Sequence, residues 1–241
     1  MARREITLSV VSHGQNALVN PLLEDIDARC ADRVALVLTE NIADPTALRL
    51  EGLSCPTERI VNDRVKGFGA NHNGAFQRCR TPWFCVVNPD IRLTGDPFPP
   101  LLAALEGERA GVAGPLVRGP SGAAEDSARR YPTFGSLLKK LFSDRRAPDY
   151  PAEGGPHEVD WVAGMFMLFR AEAYRAAGGF DEAYFLYYED VDLCRRLHAM
   201  GCAVRYVPAA EVRHDAQRAS RRDPRLALHH LRSALRFLAG V

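Results

Sequence analysis

Residues 83–93 read WFCVVNPDIRL. An apolar run rich in aromatic and β-branched residues that stops at Asn88, Pro89 and Asp90 is a buried strand ending in a polar turn. Pro89 fixes its own φ and biases Asn88 towards extended geometry, so Asp90 projects from the strand end. The same pattern recurs upstream. ITLSVV (6–11) ends at SHGQN, RVALVLT (33–39) ends at ENIADP, and ERIV (58–61) is a shorter run of the same kind. Between them lie ALVNPLLEDIDARC, with apolar residues at helical spacing, and GFGANHNGAFQRC, a Gly-rich turn entering a helix. Strands alternating with helices predict an α/β fold with a parallel sheet covered on both faces. In such sheets ligands sit beyond the C-terminal strand ends. Ser12, Glu40, Asn41, Asn62, Asn88 and Asp90 all fall at or just past those ends.

The 241 residues suit one large domain or one domain with appendages. With 46% apolar and 25% charged residues the composition is that of a soluble globular protein, and a net charge of +1 gives no reason to expect nucleic acid as a partner. The six cysteines form no CxxC pair. They read as reduced thiols of a cytoplasmic protein rather than a disulfide frame or zinc site. The N-terminal apolar run is too short for a signal peptide, and no stretch approaches the roughly 20 apolar residues that span a bilayer. Residues 114–160, rich in Gly, Pro, Ser and charge, predict a long excursion over the sheet with a short helix at TFGSLLKKLF (133–142). VDWVAGMFMLFR then reads as a strand, AEAYRAAG as a helix, AVRYVP as a strand, and the chain closes with an amphipathic helix from about Pro224.

Four motifs carry candidate chemistry. The turn NPDIRL (88–93) offers Asp90 to a Mg²⁺ or Mn²⁺ ion that also holds phosphates, or forms a plain capping turn. VKGFGANHNGAF (65–76) places Gly67, Gly69 and Gly74 around a helix start that favours an anion, with Asn71, His72 and Asn73 adding donors and acceptors. It is neither GxGxxG nor a P-loop. EVRHDAQR (211–218) holds His214, which gains interest only as a second ligand to an ion on Asp90. In YFLYYEDVDLCRRL (184–197) a helix starting near Glu189 puts Asp190 on one face with Leu193, Cys194 and Leu197. Glu189 and Asp192 fall on the wetter side as solvated acids, with Asp192 and Arg196 an i,i+4 pair. Asp190, at the core's rim behind an aromatic wall, is the candidate proton acceptor.

These pieces, in this order, resemble the family 2 glycosyltransferases, particularly their rhamnosyltransferase-like branch. GFGANHNGAF, CVVNPDIRL, WVAGMFMLFRAEAYRAAGGFDEAYFLYYEDVDLCRRL and VPAAEVRHDAQRAS carry the resemblance. It implies a GT-A fold: a Rossmann-like, mostly parallel sheet with helices on both faces and a C-terminal acceptor-binding portion. The halves are expected at 1–114 (nucleotide) and 115–223 (acceptor), followed by the helix 224–241. The resemblance further implies inverting transfer from a nucleotide-sugar donor, with dTDP-rhamnose the first choice, to a glycan or lipid-linked acceptor in cell-surface polysaccharide synthesis. Mg²⁺ or Mn²⁺ is the implied cofactor. By match to the motifs, Asp190 is the catalytic base, and Asp90 and His214 hold the metal. Ser12, Glu40, Asn41, Lys66, Gly67, Asn71, Asn88 and Gly164 are the nucleotide-sugar contacts. Asn88 stands where many members carry an acid, and TENIAD replaces the usual DNGS. Arg129, Arg130 and Tyr131 are candidates to face the acceptor.

Two other functions fit some of these residues. A metal-dependent phosphohydrolase would also use Asp90, His214 and Asp190, but wants a denser set of His and Asp ligands. A non-catalytic nucleotide-sugar-binding module on the same scaffold would account for Asn88 and for TENIAD. The last helix places Leu226, Leu228, Leu231, Leu235 and Leu238 largely along one side, with Arg225, Arg232 and Arg236 elsewhere. It either packs on the domain through the leucines or lies peripherally on the anionic lipid of the inner membrane face.

Overall fold

The computed structural model describes residues 4–107, 109–133, 135, 148–215 and 224–240. The helix expected at 133–142 falls mostly outside them. The first half runs β1 (Ile6–His13), α1 (Asn16–Cys30), β2 (Val34–Ile42), β3 (Thr57–Val61), α2 (Phe68–Phe76) and β4 (Trp83–Val87). β1 pairs in parallel with β2 on one side and β4 on the other, and β2 pairs in parallel with β3. The chain moves outward from β1 to β3, then returns to the far side of β1 as β4. That reversal opens a crevice beyond the C-terminal ends of β1 and β4.

The second half runs β5 (Ile91–Arg92), α3 (Phe98–Ala104), β6 (Ala110–Arg118), β7 (Ala128–Arg129), β8 (His157–Glu158), β9 (Trp161–Val162) and β10 (Phe166–Arg170). Then come α4 (Ala171–Ala176), α5 (Glu189–Ala199), β11 (Ala203–His214) and α6 (Pro224–Ala239). The main sheet has the order β3-β2-β1-β4-β10-β6-β11-β5, with β8 added on β11. It is mixed rather than purely parallel, because β10 runs antiparallel to both β4 and β6. The cause is the route of the chain. It leaves β6 at the crevice end and enters β10 from that same end. The turn is pinned where the Asn88 N–H donates to the Met165 carbonyl at 2.9 Å.

Side chains alternate across the sheet and fill two cores. Leu36, Leu38, Cys85, Val87, Phe166 and Leu168 face the layer of α1 and α3, while Val37, Phe84, Val86, Met167 and Phe169 face α2, α4 and α5. α1 meets its core with Val19, Leu22, Leu23, Ile26 and Cys30, the spacing of one helical face. The cysteines are free thiols, and all but Cys202 are buried.

The second core ties the crevice to the acidic motif. α2 follows Gly67, its N-cap, and its start meets the loop before α5. The Phe68 N–H donates to the Phe185 carbonyl at 2.9 Å, and a Cβ on Gly67 would lie 2.6 Å from that carbonyl oxygen. The glycine is there because backbone meets backbone. Gly67→Ala is expected to lower unfolding stability by about 1–3 kcal/mol through overpacking, measured by denaturant melting; an unchanged midpoint would mean the contact is loose.

Candidate active site

α5 begins immediately after two residues in an unusual conformation. Tyr187 and Tyr188 both have φ of 69°, the left-handed region that bulky side chains avoid. Such strain costs on the order of 1–3 kcal/mol per residue and persists only where surroundings enforce it. Here α6 enforces it. Phe185 stacks on His229 with centroids 5.0 Å apart, and Tyr188 packs against His230 at 5.3 Å and Phe237 at 5.8 Å. The Ser233 hydroxyl donates to the Leu186 carbonyl at 2.9 Å. The twisted loop delivers Asp190 into the first turn of α5, where two N–H groups hold its carboxylate. Gly164 donates to Oδ2 and Val191 to Oδ1, each at 2.9 Å.

Asp190 and Asp90 line one cavity of about 720 Å³ at the crevice. Burial raises the Asp190 pKa, opposed by the Gly164 and Val191 N–H groups and by the positive charge of Arg129. Glu189 corrects the sequence expectation. It is not solvated but 4% exposed, its Oε2 is buried without a hydrogen-bond partner, and it too lines the cavity. Burial, and then the neighbouring Asp190, push its pKa well above the usual carboxylate range. With two acids side by side and the N–H donors both on Asp190, the proton belongs on Glu189 and the charge on Asp190. Asp192 is likewise buried, at 4% exposure, and is neutralised by Arg196 at 2.7 Å and Arg195 at 3.1 Å. The expected i,i+4 pair is present, but inside. The reason is that α5 is covered on more than one side: β9 and β11 flank it, and α6 lies over its start, with Arg195 over the Phe237 ring at 4.7 Å.

At the other end of the cavity, β11 pairs with β5 so that His214 lies opposite Ile91. His214 Nε2 is 3.0 Å from Asp90 Oδ2, and its Nδ1 is 2.7 Å from Glu125 Oε2. Burial would lower the His214 pKa, but the two carboxylates outweigh it and raise it to about 9. Asp90 Oδ1 is buried and has no hydrogen-bond partner. A carboxylate lining the cavity, with an imidazole beside it and a second carboxylate behind the imidazole, fits a divalent cation that would displace the His214 Nε2 proton. Among the described residues no three His, Cys, Asp or Glu side chains gather into a metal cluster. Such a cation would therefore take its other ligands from a bound phosphate or water.

The remaining predicted contacts divide. Asn41, Lys66, Asn71, Asn88 and Gly164 line the cavity. Asn41 organises this wall. Its amide donates to the Lys66 carbonyl and to His13 Nδ1, both at 2.8 Å, and its oxygen accepts from the Lys66 N–H at 2.8 Å and the Asn62 amide at 2.9 Å. Asn62 also donates to Asn71 at 2.6 Å. Ser12, Glu40 and Gly67 do not line the cavity. Ser12 is fully buried and donates to Asn16 at 2.6 Å, fixing the start of α1; Glu40 pairs with Arg59; Gly67 meets the loop described above. Of the three acceptor candidates, Arg129 lines the cavity with its guanidinium 5.3 Å from the Trp161 ring centre, while Arg130 lies over Tyr150 and Tyr131 stacks on Phe237.

Several residues carry no sequence signal for their role. Glu125 sits 89 positions from His214 in an undistinguished stretch. Leu226, His229 and His230 of α6 reach the cavity only through tertiary packing. His72 was legible as a polar residue at a helix start; it lines the cavity, but its ring is almost wholly buried, bonded through Nδ1 to the Ser9 hydroxyl at 2.8 Å and pushed down to about 3 by burial. The protonated Glu189 has a stability consequence. Its raised pKa means the folded state holds a proton that the unfolded chain releases above about pH 4.3, so stability falls as pH rises from there. Glu189→Gln keeps the neutral shape and removes that loss. Its melting temperature is expected to gain on the wild type between about pH 5 and about pH 8; a constant difference across that range would show Glu189 to be ionised throughout.

Comparisons with known proteins identify the family and the fold. The family profile described as "Glycosyltransferase like family 2" matches residues 3–229. The N-acetylglucosaminyl-diphospho-decaprenol L-rhamnosyltransferase of Mycobacterium tuberculosis (strain ATCC 25618 / H37Rv) is 37% identical over 194 residues, covering 74% of this chain and 62% of that protein. The chain thus spans less than two thirds of the mycobacterial relative's length. The rhamnosyltransferase WbbL of Escherichia coli (strain K12) is 28% identical over 246 residues, covering 97% of this chain and 92% of its own. Among solved structures, GalNAc-T7 with UDP, GalNAc and Mn²⁺ aligns at a TM-score of 0.67 with 14% identity, over 88% of this chain and 44% of that one. The mannosyltransferase PcManGT of Pyrobaculum calidifontis, in complex with GDP-Man and Mn²⁺, gives 0.65 and 14% over 97% and 65%. These two share the GT-A fold with this chain. With the profile spanning nearly all of its length, the chain belongs to glycosyltransferase family 2.

Proposed function

We propose that the protein transfers a sugar from a nucleotide-sugar donor to an acceptor hydroxyl with inversion, Asp190 serving as the base. The observation that carries this is a single carboxylate, held by two N–H groups, in the same cavity as Asp90, which His214 backs at 3.0 Å. Asp90 and His214 would hold Mg²⁺ or Mn²⁺, which when bound neutralises charge on a leaving diphosphate. The wall of His13, Asn41, Lys66 and Asn71 receives the nucleotide. Asp190 accepts the proton of the attacking hydroxyl as that oxygen closes on the anomeric carbon from the side opposite the leaving group. The N–H donors of Gly164 and Val191 keep the carboxylate ionised and aimed. Glu189, carrying its own proton, adds no second negative charge to the site. Arg129 borders the acceptor side.

The relatives' names favour a rhamnosyl donor and, for the mycobacterial one, a lipid-linked acceptor; dTDP-rhamnose as the donor, and a lipid-linked or glycan acceptor in cell-surface polysaccharide synthesis at the cytoplasmic face of a membrane, complete this reading. Residues 115–223 supply the acceptor side and 1–114 the nucleotide side. Among the described residues no helix is long and apolar enough to cross a membrane, so contact with one is peripheral in this reading.

Two measurements test it. Asp190→Asn is expected to keep nucleotide-sugar binding and lose about 10²–10⁴-fold in turnover; near-normal turnover would remove Asp190 from the base role. In thermal-shift titrations with Mn²⁺, dTDP is expected to raise the melting temperature more than UDP or GDP. Asp90→Ala is expected to abolish the Mn²⁺-dependent part, and an undiminished shift in that variant would count against the cation site.

A further inference from the structure

α6 has two faces, and three of its five leucines lie away from the packing face. His229, His230, Ser233 and Phe237 meet the loop before α5, and Ala234 is buried with them. Leu228, Leu231 and Leu235, spaced i, i+3 and i+7, form one stripe on the outside. They are 47%, 56% and 55% exposed. Three adjacent exposed leucines on one helix are a patch, not scattered surface residues.

Charge identifies what the patch meets. From residue 216 onward the sequence holds six arginines (Arg218, Arg221, Arg222, Arg225, Arg232 and Arg236) against one acid, Asp223, in a chain whose net charge is only +1; of these, Arg236 is turned to Asp181 at 3.5 Å. A second copy docked leucine to leucine would bring two such basic segments together. An anionic bilayer surface complements both the leucines and the arginines. Position adds a third argument. Leu226, His229 and His230 of the same helix line the cavity. A helix lying in the interface by its leucine stripe would hold the cavity mouth at the lipid headgroups.

We propose that the Leu228, Leu231 and Leu235 face of α6 is a docking surface for an anionic lipid membrane. This deepens the acceptor reading above, but its test needs no acceptor and no turnover. The full chain is floated with vesicles of phosphatidylglycerol and phosphatidylcholine, and with phosphatidylcholine alone. Binding to the anionic vesicles is expected, weakened by salt, with little binding to the neutral ones. The variant Leu228→Ser/Leu231→Ser/Leu235→Ser is expected to lose about tenfold or more in lipid partitioning. Leu231→Glu serves as a milder second variant. Both should keep the wild-type melting curve and the wild-type shift with dTDP and Mn²⁺, so failure of the nucleotide reading is seen separately. Absence of flotation with either vesicle overturns the proposal, as does flotation that survives in both variants. A concentration-dependent dimer without lipid, abolished by the triple variant, would assign the stripe to a second copy and overturn it too.

Discussion

The site depends on two backbone N–H groups, those of Gly164 and Val191, converging on the Asp190 carboxylate. Removed from water without them, two adjacent acids would both be driven towards the neutral form. With them, the pair becomes unequal. Burial raises both pKa values, but the two donors hold the rise back at Asp190, so Glu189 is the acid that takes the proton first. The Gly164 N–H is presented by the turn through which the chain re-enters the sheet as β10, and the Val191 N–H by the start of α5. The mixed sheet and the α5 register therefore both serve one carboxylate.

That arrangement is held under strain. Two successive tyrosines in left-handed geometry would relax if free, and what prevents it is the overlying helix α6. The strain buys a sharp change of direction, turning an aromatic loop into a helix whose first turn points at the cavity. Gly67 completes the clamp from below, where α2 meets the same loop backbone to backbone. A helix further along the chain, Pro224–Ala239, thus positions Asp190, and the Leu228, Leu231 and Leu235 side of that helix stays exposed.

The early half of the fold was legible because its signals are local. Buried strands ending in polar turns, with helical spacing between them, define β1 to β4 and the crevice beyond their ends. Asp90 and Asp190 were legible for the same reason, one at a strand end and the other heading an apolar helical stripe. The illegible parts are all long-range. Glu189 and Asp192 sit where a free amphipathic helix would be wet, and only the covering of α5 by other elements buries them. Glu125 joins His214 across 89 residues, and nothing in its neighbourhood announces a carboxylate behind an imidazole. Ser12 stands at a strand end like the true cavity residues, yet its hydroxyl is taken by Asn16 at the start of the next helix. Periodicity alone left open whether the leucines of α6 pack on the domain or lie on lipid; in the structure rings and a hydroxyl on the other side make the contact.

The central claim is the unequal sharing of protons between Asp190 and Glu189, and carboxyl ¹³C NMR of selectively labelled protein tests it most directly. Resonances would be assigned with Asp190→Asn and Glu189→Gln. At neutral pH the Asp190 carboxyl should show the shift of an ionised group and Glu189 that of a protonated one. A protonated Asp190 beside an ionised Glu189 would contradict the assignment of the base.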